Sequence, residues 1–100
     1  MIVLIAKNTA LSGGGSVQTG QSALGSAQLG DPKVLCIGVE ASAATTVTIY
    51  VSYDAGTTWL LAATMTFAGV GGQVQTIPPG PYVKISSSNA ATISAWAYTA

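Results

Sequence analysis

Apolar and polar residues alternate with a period of two through much of this chain, and that repeat suits strands and not helices. From Thr46 to Tyr53 the alternation is strict. Val47, Ile49, Val51 and Tyr53 fall on one side, with Thr46, Thr48, Tyr50 and Ser52 on the other. Thr58 to Phe67 repeats the pattern and places Trp59, Leu61, Ala63, Met65 and Phe67 together. Asp54-Ala55-Gly56-Thr57 between them reads as a tight turn, so the two segments are expected to pair as a hairpin with both apolar faces on the same side. Gln73–Ile77, Tyr82–Ser86 and Thr92–Tyr98 read as further strands. Val83, Ile85, Ile93, Ala95 and Ala97 point inward, and Trp96 and Tyr98 fall on the opposite face. Val34–Val39 is a continuous apolar run of strand length, read as buried on both faces. No segment carries a helical period, and turn residues recur about every ten positions, which predicts an all-β fold: an antiparallel β-sandwich or jelly-roll-like barrel.

The first thirty residues read differently. Ile2–Ala6 has the composition of a short strand. The apolar run is far below the ~20 residues that span a bilayer. It also has no basic stretch before it, as a secretory leader requires. Residues 8 to 30 carry no charge and six glycines, three of them in Gly13-Gly14-Gly15-Ser16. They read as an extended Gly/Ser-rich arm with strand pieces around Val17 and Ala23–Leu29. Asp31-Pro32 opens a turn, so the expected division is an arm over 1–30 and a sandwich body over 31–100.

Charge then decides which chemistries remain. Among 100 residues there are three Lys, no Arg, no His and three acids. Three scattered lysines make no phosphate-binding patch, so nucleic acid is not an expected partner. Without His there is no Ser-His, Cys-His or His-metal arrangement. Asp31, Glu40 and Asp54 are too far apart in sequence to suggest a calcium site or a glycosidase pair. Cys36 sits mid-strand in an apolar run and reads as a buried, inert thiol. A lone cysteine fits a reducing compartment. The chain is therefore expected to be no enzyme, with no catalytic, cofactor-binding or metal-ligating residues.

Ser52-Tyr53-Asp54-Ala55-Gly56-Thr57-Thr58-Trp59 resembles the Asp-box, Ser-x-Asp-x-Gly-x-Thr-Trp, at every fixed position. Its chemistry is that of a structural turn. Asp54 accepts hydrogen bonds from turn amides, with Ser52 preceding it. Gly56 takes positive φ without steric cost, and Trp59 lays its ring over the turn. Asp-boxes are familiar in sialidases, away from the catalytic site; with no Arg to hold a carboxylate, that activity is not expected here. Tyr50, Trp96 and Tyr98 lie opposite the aliphatic rows. They are expected at a subunit interface or under the N-terminal arm. A sugar-stacking platform is the competing reading, but it would need convergent polar groups that are scarce in this chain.

Gly, Ala, Ser and Thr make up half the chain, and the net charge is zero. Such an exterior is poorly protected against association, and half-exposed strands add the hazard of edge pairing. Burial in a permanent assembly resolves both. The "VTIYVSYDAGTTW" hairpin, the "QTIPPGPYVKI" turn and strand, and this composition resemble small virion proteins of tailed bacteriophages, in particular capsid decoration (cement) proteins. The resemblance covers about residues 31 to 100. It implies a non-enzymatic protein on the outside of a capsid, a homotrimer bound to the major capsid protein and assembled in the cytoplasm of the host bacterium. Its interface is expected at Ile2, Val3, Leu4, Ile5, Val17, Leu24, Leu29, Tyr50, Trp96 and Tyr98. Deletion of residues 1–30 is expected to abolish capsid binding and leave a folded body. A carbohydrate-binding or adhesin module and a phage tail or fibre component are the alternatives, and no membrane partner is expected.

Overall fold

The computed structural model describes residues 1–11 and 22–100, with the backbone alone over 22–25. Eight strands follow in order: β1 (Ile2–Leu11), β2 (Ser22–Gln28), β3 (Leu35–Ala41), β4 (Thr45–Ser52), β5 (Leu60–Phe67), β6 (Gly71–Ile77), β7 (Tyr82–Ser87) and β8 (Ala91–Thr99). They build two four-stranded sheets, ordered β1-β8-β3-β6 (sheet I) and β2-β7-β4-β5 (sheet II). Every pairing is antiparallel. β1 approaches β2 along one side of the molecule, and β6 approaches β5 along the other. Each step from an odd strand to the next even one therefore changes sheet. That is the jelly-roll order of eight strands, here as a two-layer sandwich.

The period of two explains the packing. Leu35, Ile37 and Val39 of β3, Val47, Ile49 and Val51 of β4, Met65 and Phe67 of β5, Val83 and Ile85 of β7, and Ile93, Ala95 and Ala97 of β8 form one buried cluster. Each comes from every second position of its strand, so one face of each sheet supplies the interior. Of the buried hydroxyls, that of Ser86 has no partner, whereas those of Thr45 and Ser87 are joined in a ring. The Ser87 hydroxyl donates to the Asn89 carbonyl at 2.8 Å, which leaves its oxygen as the acceptor for Thr45 Oγ1 at 2.6 Å. The Asn89 N–H in turn donates to Thr45 Oγ1 at 3.1 Å. This ring ties the β7–β8 turn to the start of β4 without leaving a buried donor unmet.

Several expectations need correction. The strand expected at Ile2–Ala6 runs on to Leu11, and together with β2 it belongs to the sandwich. β1 pairs with β8, β2 pairs with β7, and Leu11 and Leu29 lie in the core. The described parts of residues 1–30 are thus edge strands of the body and not an arm apart from it. Val17 lies outside the described residues. The hairpin of β4 and β5 forms, but its register shifts between Ile49 and Tyr50, so Ala62 is an extra residue on β5. The bulge turns Leu61 outward, where it is 66% exposed, and leaves only Ala63, Met65 and Phe67 in the core. At the other end of the hairpin Ser52 is buried and Tyr53 exposed, the reverse of the strict alternation, because the Ser52 hydroxyl is drawn under the turn.

Gly80, flanked by Pro79 and Pro81, sits against β4. A Cβ there would stand 3.0 Å from Val51 Cβ and 3.5 Å from the Tyr53 ring. Val51 is β-branched and fixed by the core, so it cannot move aside cheaply. Gly80→Ala is expected to lower the unfolding free energy by about 1–3 kcal/mol in chemical denaturation. Deleting residues 1–11 removes one of the two partners of β8 and uncovers buried Ala95 and Ala97. This variant is expected to lose its cooperative thermal transition, where the sequence alone led to the expectation of a folded remainder.

Candidate interaction surfaces

Sheet I carries the more apolar outer face. Where β3 points Leu35, Ile37 and Val39 inward, Cys36, Gly38 and Glu40 point out. The pairings align these outward residues in rows across all four strands. One row runs Leu4–Trp96–Gly38–Val74, and the next runs Ile2–Tyr98–Cys36–Thr76. Ile2 is 71% exposed and Val74 77%; Leu4 and Tyr98 are about half exposed. Gly38 interrupts the first row with no side chain, and this leaves a shallow depression of about 380 Å³ walled by Trp96, Tyr98, Val74 and Ile2. Val34–Val39 was expected to be buried on both faces. In the structure the face with Cys36 and Gly38 is open, and Cys36 is only half buried, its Sγ 3.4 Å from Thr76 Oγ1.

Polar groups bound this patch on one side. Lys7 Nζ lies 5.4 Å from the centroid of the Trp96 ring, within cation–π range. Beyond Trp96, the Asn8 N–H donates to Ser94 Oγ at 2.8 Å, and Ser94 Oγ donates to Asn8 Oδ1 at 3.3 Å. Asn8, Ser94 and Glu40 help to line a second hollow of about 310 Å³. Among the described residues no three His, Cys, Asp or Glu side chains converge.

On the outer face of sheet II, Lys84 Nζ sits 5.1 Å from the Tyr50 ring centroid and 4.8 Å from that of Trp59. The ammonium thus joins two aromatic rings that adjoin the Asp54 turn. In that turn Ser52 Oγ donates to Asp54 Oδ1 at 2.8 Å and accepts from the Gly56 N–H at 2.9 Å. The Thr58 N–H donates to Asp54 Oδ1 at 2.7 Å. Ala55 and Gly56 both adopt positive φ, 61° and 87°. Trp59 Cζ2 lies 3.4 Å from where a Gly56 Cβ would stand, so the ring does lie across the turn. Tyr53 OH donates to the Pro79 carbonyl at 2.7 Å and pins the turn to the proline loop.

The expected interface residues divide. Ile2, Leu4, Trp96 and Tyr98 come together on the outer face of sheet I. Val3 and Ile5 turn the other way and pack against the core. Leu29 is 5% exposed and belongs to the core, so it is not available to a partner. Leu24 lies in β2, where only the backbone is described. Tyr50 is on the opposite sheet from Trp96 and Tyr98, so the three expected to form one aromatic face lie on two surfaces. Gly38, Val74 and Cys36 are additions. The signal for Gly38 and Cys36 is the apolar run at 34–39, which supplies both faces of β3; Val74 stands alone between two glutamines in β6. No family model, no curated protein and no solved structure matches the chain.

Thr58 and then Ser52, through these hydrogen bonds, hold the Asp54 carboxyl at about 2, down from 3.8. A depressed carboxylate favours the folded state while it is ionised. Its contribution is complete above 3.8 and is lost as pH falls through about 2. Melting temperatures of wild type and Asp54→Asn are expected to differ above pH 4 and to converge as the pH falls through about 2, as followed by circular dichroism.

Proposed function

We propose that this chain is a non-enzymatic structural protein of a larger particle, of the kind the sequence resembles: a decoration protein bound to the outer surface of a phage capsid. The observation that carries the reading is the outer face of sheet I. Ile2, Leu4, Val74 and Tyr98 stand exposed beside Trp96 around the depression at Gly38, with Lys7 as the nearest cation. Contiguous apolar surface of this kind on a small soluble domain marks an interaction site. Its low charge keeps the desolvation cost of docking small.

The physical role follows from mass action. A protein that binds the assembled shell and not its separate subunits stabilises the assembled state. Many weak contacts repeated over a lattice add through multivalency. The aromatic anchors Trp96 and Tyr98 suit the centre of such a contact, and the depression between them and Val74 suits an inserted apolar side chain.

Shells purified from cells that produce the chain, run on a sucrose gradient and probed by mass spectrometry for its peptides, test this reading. The chain is expected to travel with the shells. Tyr98→Lys is expected to reduce its occupancy at least tenfold, equivalent to about 1.4 kcal/mol or more. A chain that stays at the top of the gradient while shells sediment would overturn the proposal.

A further inference from the structure

We propose that β6 is a self-complementary dimerisation edge: Gly71–Ile77 of one copy pairs antiparallel with Gly71–Ile77 of a second copy about a two-fold axis at Val74, joining two copies of sheet I into one eight-stranded sheet.

Among the described residues the sandwich has four edge strands, β1, β6, β2 and β5. Three of them are irregular. β1 shifts register twice, between Leu4 and Ala6 and again before Thr9, carries Lys7, and holds Asn8 at φ 45°. β2 shifts register between Ala23 and Gly25. β5 bulges at Ala62 against β4. Bulges and lysines are the devices that keep sheet edges from pairing with other chains. β6 has none of them. All seven of its residues pair with β3 in unbroken register. No charged residue occurs between Asp54 and Lys84, and the first proline of that stretch is Pro78, just past β6. Residues 72–76 are all exposed. An unguarded, regular, uncharged edge is a template for a further strand.

The sequence of that edge says which strand fits. Gln73-Val74-Gln75 reads the same in both directions. Antiparallel pairing about Val74 places Val74 opposite Val74 and Gln73 opposite Gln75 of the second copy. Gly72 then faces Thr76 and Gly71 faces Ile77, small against larger. Each primary amide both donates and accepts, so the two Gln pairs can satisfy one another. Gln73 is already oriented, its Nε2 donating to the Thr66 carbonyl of β5 at 2.6 Å. Val74 continues the outer apolar row, and in the dimer its 77% exposure falls as the depressions at Gly38 come to lie on either side of the axis. Such a two-fold contact uses the same patch on both copies and closes at two. A ring of three would instead set β6 against a different edge, and each of the others is irregular. The inference is independent of the capsid reading.

Light scattering on the full chain over a range of concentrations tests it. The expected result is a species of twice the chain mass, lost in Val74→Lys while the circular dichroism spectrum and melting temperature are kept, since Val74 is a surface residue. A second pair of variants, in a Cys36→Ser background, guards against a folding defect. Val74→Cys is expected to form a disulfide-linked dimer on mild oxidation, and Val70→Cys, exposed but outside β6, is not. A wild-type monomer at every concentration, a wild-type trimer, a dimer retained by a folded Val74→Lys, or equal cross-linking at 70 and 74 would each overturn the proposal.

Discussion

A two-layer sandwich has one interior, and every strand gives it one face. That constraint orders everything else in this molecule. Leu35, Ile37, Ile49, Met65, Ile85 and Ile93 fill the interior and are almost completely shut off from water. Close packing of this layer fixes the phase of each strand, because a slip of one residue would carry a whole apolar row to the outside. What remains for the outer faces is then determined by the residues between. In this chain those residues are small or hydroxylated, and on sheet I several are apolar.

The parts of the fold legible in the sequence are those where periodicity runs unbroken. Val47, Ile49 and Val51 in β4, and Ile93, Ala95 and Ala97 in β8, lie on the faces their spacing implies. Where a bulge intervenes, the period misleads. Leu61 is spaced as a core residue, but the extra Ala62 inverts its face, and no hydropathy pattern records a register shift. The strand expected at Ile2–Ala6 stops short for the same reason: Lys7 and Asn8 occupy a bulge opposite Ser94, after which pairing resumes at Thr9. Sheet membership was illegible for a different reason. Spacing tells which face of a strand Tyr50 or Trp96 occupies, but it does not tell which of two sheets the strand joins.

The Asp54 turn shows how local chemistry supports that packing. Ala55 in the left-handed region would be costly in isolation, whereas Gly56 beside it adopts positive φ freely. Ser52 and Asp54 offset that cost by satisfying three turn amides between them, those of Asp54 itself, Gly56 and Thr58. The residue pattern and the hydrogen bonds agree here because every interaction lies within a few positions. The outer face of sheet I required distant strands to be brought together before Ile2, Trp96 and Val74 became neighbours.

The pairing of β1 with β8 joins segments separated by most of the chain. Sheet I cannot be completed during synthesis until Ala91–Thr99 has left the ribosome, since β8 lies between β1 and β3. Until then the backbone edges of β1 and β3 that face β8 have no hydrogen-bond partners. Loop-closure entropy over such a span makes folding slow relative to helical domains of this size. A nascent chain of this design spends its most vulnerable interval with strands already made and their central partner still unborn, which places a premium on chaperone shielding in the cell.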